Sequence, residues 1–361
     1  MSYSCSHDLS IEEIRRYSRQ ILVEEIGVVG QQNLRDSSLL IVGAGGLGCP
    51  VGLYTAAAGR LLFELLIGIG RIGIVDKDTV SEDNLHRQIA HCESKINTPK
   101  VYSLRDTLLK SFFSLHFYVN ECLRLNSNVR IDVYNVNVTS ENVLDIFKEY
   151  DIIADCTDNA PTRYLINDAC VMLNKPLVWG SALRWEGQLT VYNYSKECPC
   201  YRCIFPKPPP REASTNCSES GVIGPVVGVI GNMQALETIK IAAQLKPSFS
   251  GRLFIFDGLR GDTRSIKLRP RRDDCDVCGK SPSVTQLIDY TRFCGGLTCD
   301  DKVSVFNLIL CVICRRGNDS QLAVQRLRDI FKDVCSSDQI VDVKGGYQEY
   351  SQLIDQAFPV Y

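Results

Sequence analysis

Short apolar runs, each closed by a glycine or an acid and followed by a helical repeat, organise the first two thirds of the chain. Leu39–Val42 is continuously apolar and predicts a buried strand that feeds a helix over Gly46–Ala58. Ile72–Val75 predicts a second strand, ending at Asp76. Ile131–Val138 alternates apolar and polar positions and reads as a third; Glu141–Tyr150 reads as a helix and Asp151–Ala154 as a fourth strand. Pro161–Leu173 suits a helix with proline in its first turn. Leu177–Ser181, Gln188–Asn193 and Leu253–Asp257 add strands, with a turn expected at Glu186–Gly187, and Val222–Gln244 holds a long helix starting near Pro225. Ahead of all these, residues 10–36 read as helical, opened by Ser10 with Glu13 three positions on. Strands alternating with helices predict an α/β fold, a mainly parallel sheet with helices on both faces.

Two loops interrupt this order. Pro206–Ser220 is rich in proline, serine and asparagine, and Arg269–Ser283 is charged and rich in cysteine. Beyond Val284 the character changes. The expected organisation is a main domain over 10–283, a linker over 284–302 and a small tail over 303–361, with a strand at Ser304–Ile313 and a helix at Gln321–Lys332. The net charge of −2 supplies no global field for nucleic acid or an acidic membrane surface. The most apolar window, Val51–Val75, carries Arg60, Glu64 and Arg71, which argues against a membrane helix. The first twenty residues have no apolar core and do not read as a signal peptide. Seventeen cysteines, an odd count with two C-x-x-C pairs, favour reduced thiols and metal over a disulfide framework, and so a cytosolic setting.

The candidate chemistry begins at "LLIVGAGGLGCPVGL", where Gly43, Gly45 and Gly48 give a G-x-G-x-x-G spacing between strand and helix. Such a turn brings backbone N–H groups and a helix N-terminus to a phosphate. Asp76, at the end of the next strand, suits ribose hydroxyls. It follows Gly48 by 28 residues, against about 20 in the dinucleotide fingerprint. These features alone do not separate NAD from ATP, so an NAD-dependent oxidoreductase stands as one alternative. The segment "DNLHRQ" (Asp83, Asn84, Leu85, His86, Arg87) and Lys100 in "NTPK" place an amide and two cations behind the ribose acid, which suits a triphosphate better. "DCTDN" then puts Asp158 and Asn159 at the C-terminal end of a strand, where a carboxylate can hold Mg²⁺ against phosphates. Cys200 and Cys203 form one C-x-x-C, and Cys275 and Cys278 form another; four thiolates in two pairs make a closed structural zinc site.

Together "GAGGLGCP", "DNLHRQ", "DCTDN", "PCYRC" and "CDVCG" resemble the MoeB/ThiF group, which activates ubiquitin-like proteins. The resemblance runs over about residues 10–298. "CYRCIFPKPPP" and "FDGLRGDTRSIKLR" bring it nearest the eukaryotic adenylyltransferase and sulfurtransferase branch, which serves tRNA thiolation and molybdenum cofactor biosynthesis. It implies a Rossmann-like fold, ATP rather than NAD, a ubiquitin-like sulfur-carrier protein as substrate, a homodimer, and a cysteine desulfurase or other sulfur donor. By the same resemblance Gly46 approaches the phosphates, Asp76 binds ribose, Asn84, Arg87 and Lys100 handle phosphates, and Asp158 holds Mg²⁺. Arg19 reaches the partner subunit's triphosphate, and Cys217 is a loop cysteine able to form an acyl thioester or disulfide. Cys314, opening "CRRGNDS", resembles the persulfide-carrying loop of a rhodanese domain, and Arg315 and Arg316 favour its thiolate.

Two departures stand against that pattern. Only residues 297–313 separate "FCGG" from Cys314, too few for the first half of a rhodanese domain. And "RLLFELLIG", residues 60–68, is inserted before the strand that delivers Asp76. The insertion either extends the preceding helix or shifts that strand. An isoform reduced to adenylation, or to a binding module, is therefore the second alternative.

Overall fold

The computed structural model describes residues 9–58, 69–109, 130–208, 221–295, 310–312, 318–330 and 340–342. They fall into two compact units, Met1–Gly296 and Leu297–Tyr361.

The first unit is built on an eight-stranded sheet. Its strands are β1 (Ser38–Val42), β2 (Arg71–Val75), β3 (Arg130–Tyr134), β4 (Ile152–Asp155), β5 (Leu177–Leu183), β6 (Glu186–Tyr192), β7 (Arg252–Asp257) and β8 (Asp262–Lys267). The order is β3-β2-β1-β4-β5-β6-β7-β8. The pairings among β3, β2, β1, β4 and β5 are parallel, and β6, β7 and β8 extend the sheet antiparallel. Alternate residues of β1 serve opposite cores. Leu39 and Ile41 join one apolar cluster, and Leu40 and Val42 join the other. Helices α3 (Gly48–Ala57), α4 (Lys100–Leu109) and α8 (Gly224–Ala242) supply the first cluster. Helices α5 (Val143–Phe147) and α6 (Ala160–Met172), with the short turns α7 (Tyr201–Ile204) and α9 (Tyr290–Phe293), supply the second. Burial on both faces explains why β1 reads as an unbroken apolar run.

Several expectations change in detail. Residues 10–36 form two helices, α1 (Ile11–Ile21) and α2 (Gly27–Asp36), because Gly27 takes φ +54 and breaks the run. The β5–β6 turn falls at Arg184 and Trp185, since Glu186 already pairs with Leu183. Strand β8 and helix α4 were not anticipated. Every residue of β8 is exposed, so it has no apolar period to read. The inserted residues 60–68 lie outside the described residues, but their effect on β2 is visible. Ile69 is fully buried, and all five residues of β2 pair with β1, from Ser38↔Arg71 to Val42↔Val75. Asp76 therefore follows a strand paired with β1 along its whole length.

Helix α6 and turn α7 are joined by a buried ion pair. Arg202 donates from Nε to Asp168 Oδ1 at 2.9 Å and from Nη2 to Oδ2 at 2.7 Å. Tyr290 Oη donates to Asp168 Oδ2 at 2.8 Å and Asn167 Nδ2 to Oδ1 at 2.9 Å. The guanidinium carbon lies 4.5 Å from the Phe293 ring centre and 5.1 Å from that of Tyr164.

The second unit holds β9 (Leu310–Val312), α10 (Asn318–Ile330) and β10 (Ile340–Asp342). The strands pair in parallel, as a crossover through a helix requires. Arg328 donates from Nε and Nη2 to the Ile340 carbonyl at 2.9 and 2.6 Å, fastening helix to strand.

Removing one partner of a buried pair leaves the other charge uncompensated, at a cost of about 3–5 kcal/mol. Arg202→Ala is therefore expected to lower unfolding free energy by about that amount in urea titrations. The double change Arg202→Met with Asp168→Leu is expected to cost clearly less, because no orphaned charge remains.

Candidate active site

Three strands of the sheet end level with one another. Val42 at the end of β1 pairs with Val75 on one side and Asp155 on the other. The chain order reverses at β1, and in open parallel sheets ligands bind in the crevice at that point. The segments leaving these strands are the glycine turn, Asp76 and the Cys156–Asn159 loop. Gly43 has φ +100, and its N–H donates to the Val75 carbonyl at 2.9 Å. A Cβ at Gly48 would stand 2.0 Å from the Gly43 carbonyl oxygen, so the turn closes only with glycine there. Gly45 and Gly46 lie between them, directly ahead of α3, and the Cys49 N–H donates back to the Gly45 carbonyl at 3.0 Å.

Asp76 braces the turn. Its Oδ2 accepts from the Ala44 N–H and its Oδ1 from the Asp78 N–H, both at 2.7 Å. Burial pushes the Asp76 carboxyl up, and the charge of Lys100 pulls it back down. Lys100, the buried first residue of α4, donates from Nζ to Asp78 Oδ2 at 2.9 Å. Asp83 and Asn84 belong to a 3-10 turn, Glu82–Asn84, where Asn84 Nδ2 donates to Asp83 Oδ1 at 3.3 Å. Leu85 and exposed His86 follow. Arg87 donates from Nη1 to the Asp83 carbonyl at 2.7 Å and lies 2.8 Å from His86 Nε2. Its own carbonyl is 3.7 Å from where a Gly46 Cβ would be, so this segment runs beside the turn. Asp158 is exposed at the crevice edge. Asn159 Oδ1 accepts from the Thr162 N–H at 2.9 Å, the N-cap of α6. Arg19 is exposed on α1, whose other side buries Glu13 and Tyr17.

Sequence reasoning missed a second group of residues here. Asp155 is fully buried; its Oδ1 accepts from the Thr157 N–H at 2.9 Å and hydroxyl at 2.6 Å. Burial raises its pKa, against the lowering effect of Arg163. Arg163 donates from Nη2 to the Thr157 carbonyl at 3.0 Å and to Ser181 Oγ at 3.1 Å. Beside it opens a cavity of about 610 Å³ lined in part by Arg163, Trp179, Ser181, Trp185, Tyr201 and Leu259. The available signal was Arg163 itself, four positions after Asn159 and so on the same face of α6. Gln88 and His91, both buried next to the turn, were likewise overlooked.

The four expected metal ligands do meet. The Sγ atoms of Cys200, Cys203, Cys275 and Cys278 all lie within 4.8 Å of one another. Three separations are 3.8 Å (Cys200–Cys203), 3.6 Å (Cys200–Cys275) and 3.4 Å (Cys203–Cys278). A tetrahedron with Zn–S bonds of about 2.3 Å has edges of about 3.8 Å, so the donor set fits zinc. Arg272 N–H, 3.4 Å from Cys203 Sγ, adds the backbone donor such thiolates accept. Three buried thiols elsewhere in the domain are of another kind: burial pushes Cys49 up to about 12 and raises Cys156 and Cys170 well above the ordinary thiol value. Cys217 and Cys314 lie outside the described residues; Cys314 falls in the stretch between β9 and α10. No helix among the described residues is long and apolar enough to cross a membrane.

Comparison with known proteins agrees with this arrangement. The chain is 42% identical over 421 aligned positions to Adenylyltransferase and sulfurtransferase MOCS3 of Caenorhabditis briggsae, covering 98% of each. Since the chain has 361 residues, at least 60 of the 421 positions have no residue of this chain opposite them. It is 51% identical over 292 positions to the protein of the same name from Bos taurus, spanning 81% of this chain and 59% of that one. Among solved structures, E. coli MccB with AMPCPP and MccA superposes with a TM-score of 0.60 at 22% identity, over 74% of this chain and 75% of that one, which shows a shared fold. The model of the ThiF family matches residues 17–277, and the chain belongs to that family.

Proposed function

We propose that this chain is an adenylyltransferase and sulfurtransferase that activates the C-terminal glycine of a ubiquitin-like sulfur-carrier protein with ATP, for tRNA thiolation and molybdenum cofactor biosynthesis. The observation that carries the reading is the meeting of the glycine turn, Asp76, the Asp83–Arg87 segment, Lys100 and Asp158 around one end of β1. The family and the names of its curated relatives support it.

In this reading the triphosphate lies over Gly45 and Gly46 at the N-terminus of α3, and Asp76 takes the ribose hydroxyls. Asn84, Arg87 and Lys100 neutralise the phosphates, with Arg19 contributed to the site of a second copy in a homodimer. The carrier's glycine carboxylate attacks the α-phosphorus, the bond to the β-phosphate oxygen breaks, and pyrophosphate leaves. A carboxylate is already a nucleophile, so the site needs positioning and charge neutralisation rather than a general base. Asp158 would hold Mg²⁺, which would supply positive charge against the phosphates. The cavity beside Arg163 and Trp179 adjoins the Asp158 loop, which suits the entry of an extended tail. The Cys217 thiolate attacks the acyl carbon of the adenylate, AMP leaves, and a thioester forms. The outer sulfur of a Cys314 persulfide, charged by a cysteine desulfurase or other donor, attacks the acyl carbon and displaces the Cys217 thiolate; a thiol reductant then attacks the Cys314 sulfur, releasing the thiocarboxylate and leaving a disulfide. Zinc at Cys200, Cys203, Cys275 and Cys278 is structural. A reducing compartment, the cytosol, keeps these thiols available.

Exchange of labelled pyrophosphate into ATP, dependent on added carrier, is the test. Wild-type chain is expected to exchange and Asp158→Ala to fall at least about a hundredfold, the scale of losing one transition-state charge contact. No exchange by the wild type would leave only the binding-module alternative, while hydride transfer with NAD would revive the oxidoreductase. In the same assay, mass analysis with Cys314→Ala is expected to find the carrier as its adenylate or as a thioester on Cys217, with no thiocarboxylate.

For the metal, elemental analysis is expected to find one zinc per chain. Cys275→Ser is expected to lose it and lower the melting temperature. A metal-free wild type of unchanged stability would remove the assignment.

A further inference from the structure

Ala44 is gripped by side chains on both of its peptide groups. Its N–H donates to Asp76 Oδ2 at 2.7 Å, and its carbonyl lies 2.9 Å from His91 Nε2. His91 Nδ1 lies 2.9 Å from Ser103 Oγ, on α4, and both residues are buried. A carbonyl only accepts, so Nε2 carries the ring proton, and Nδ1 of the neutral imidazole accepts from the Ser103 hydroxyl. Burial, reinforced by the charge of Lys100, lowers the His91 pKa and keeps the ring neutral.

The bond matters because of what flanks Ala44. Gly43 already sits at φ +100, and Gly45 and Gly46 follow, so the peptide between Ala44 and Gly45 has little steric hindrance to rotation. Rotated, it would turn a carbonyl toward bound phosphate in place of an N–H, and attraction would become repulsion. Two side chains meet that carbonyl and favour one orientation: His91 Nε2 at 2.9 Å and, as a weaker donor, Cys49 Sγ at 3.9 Å. The same relay ties the turn to α4, which carries Lys100 one turn before Ser103.

We propose that His91 is a positioning residue for nucleotide binding: through its bond to the Ala44 carbonyl it fixes the glycine turn in the orientation that receives the ATP phosphates, with Ser103 setting its tautomer. The proposal rests on the adenylation reading above.

The test uses the full chain and three variants. His91→Phe keeps a ring and removes both bonds. His91→Gln keeps a donor and an acceptor. Ser103→Ala leaves the ring and removes the group that sets its tautomer. MgATP dissociation constants come from calorimetry, KM and kcat from pyrophosphate exchange, and folding from thermal melts. His91→Phe is expected to weaken ATP binding and raise KM about tenfold, the scale of one lost hydrogen bond, with kcat nearly unchanged. His91→Gln is expected to recover most of that, and Ser103→Ala to fall between. A purely structural histidine would lower the melting temperature of His91→Phe and leave ATP affinity within about twofold of wild type, which overturns the proposal. So does a Gln variant no better than Phe. If His91→Phe fails to fold, Ser103→Ala decides, and unchanged affinity there overturns the proposal. A wild type that binds MgATP but exchanges no pyrophosphate defeats the activity alone, and the affinity comparison still decides on His91. A wild type that does not bind MgATP defeats both.

Discussion

A side chain at position 48 would begin 2.0 Å from the Gly43 carbonyl oxygen. That close approach is the constraint on which the crevice depends. It lets the chain leave β1, reverse within a few residues and enter α3 directly over the end of the strand. Once α3 is fixed there it packs against α8, where Pro50 meets Gly231, and the turn is enclosed from that side. Gly43 also lies against the Cys156 carbonyl, which brings the loop after β4 up to the turn. The acids on either side need no further device. Parallel pairing in register carries Asp76 and the Asp155–Asp158 segment to the same level as the glycines.

A single helix links this edge to the cysteine cluster. Its first turn is capped by Asn159, next to Asp158, and its middle carries Asn167 and Asp168. Asn167 Oδ1 accepts from the Tyr201 N–H at 2.7 Å, and Asp168 holds Arg202. Both partners lie between Cys200 and Cys203, so the helix that presents Asp158 also anchors one half of the metal knuckle. The ion pair has the features that let a buried charge persist: bidentate geometry, two further donors on the carboxylate and aromatic faces on the cation. Its contribution is to fix where α7 sits rather than to add much net stability.

Where burial was two-sided or a side chain had chemistry of its own, the sequence was readable. The strands β1, β2 and β4 showed as apolar runs, and the four metal cysteines showed as two tight pairs that do converge. What stayed illegible has physical causes. Strand β8 is exposed on every residue, so pairing with β7 alone makes it a strand. Arg163 had a local signal in its spacing from Asn159, but Asp155 is held by its neighbour Thr157 and His91 by Ala44 and Ser103, contacts that no pattern along the chain marks. The fate of β2 after the inserted residues 60–68 also lay beyond sequence. Longer connections cost little, about 0.6 kcal/mol for a doubling in length, while β2 gains pairing on both edges and a buried face. The register with β1 therefore prevails over the extra residues.

The cost of the arrangement is visible in the crevice itself. Among the described residues, Gln88 Oε1, Asp155 Oδ2, Arg163 Nε and Trp179 Nε1 are buried without a hydrogen-bond partner. A buried polar atom left unpaired costs about 1–3 kcal/mol. A core selected for stability alone would have replaced such groups, and buried Asp168 and Glu237 show full satisfaction, while Glu13 Oε1 on α1 is a further unpaired atom. Asp155, Arg163 and Trp179 line or adjoin the cavity next to Asp158, and Gln88 abuts the glycine turn. Four of the unpaired atoms thus sit beside the crevice and its cavity. The same logic separates His91 from them: its two ring nitrogens are both engaged by the protein, so it is built to hold the turn and not to meet the ligand.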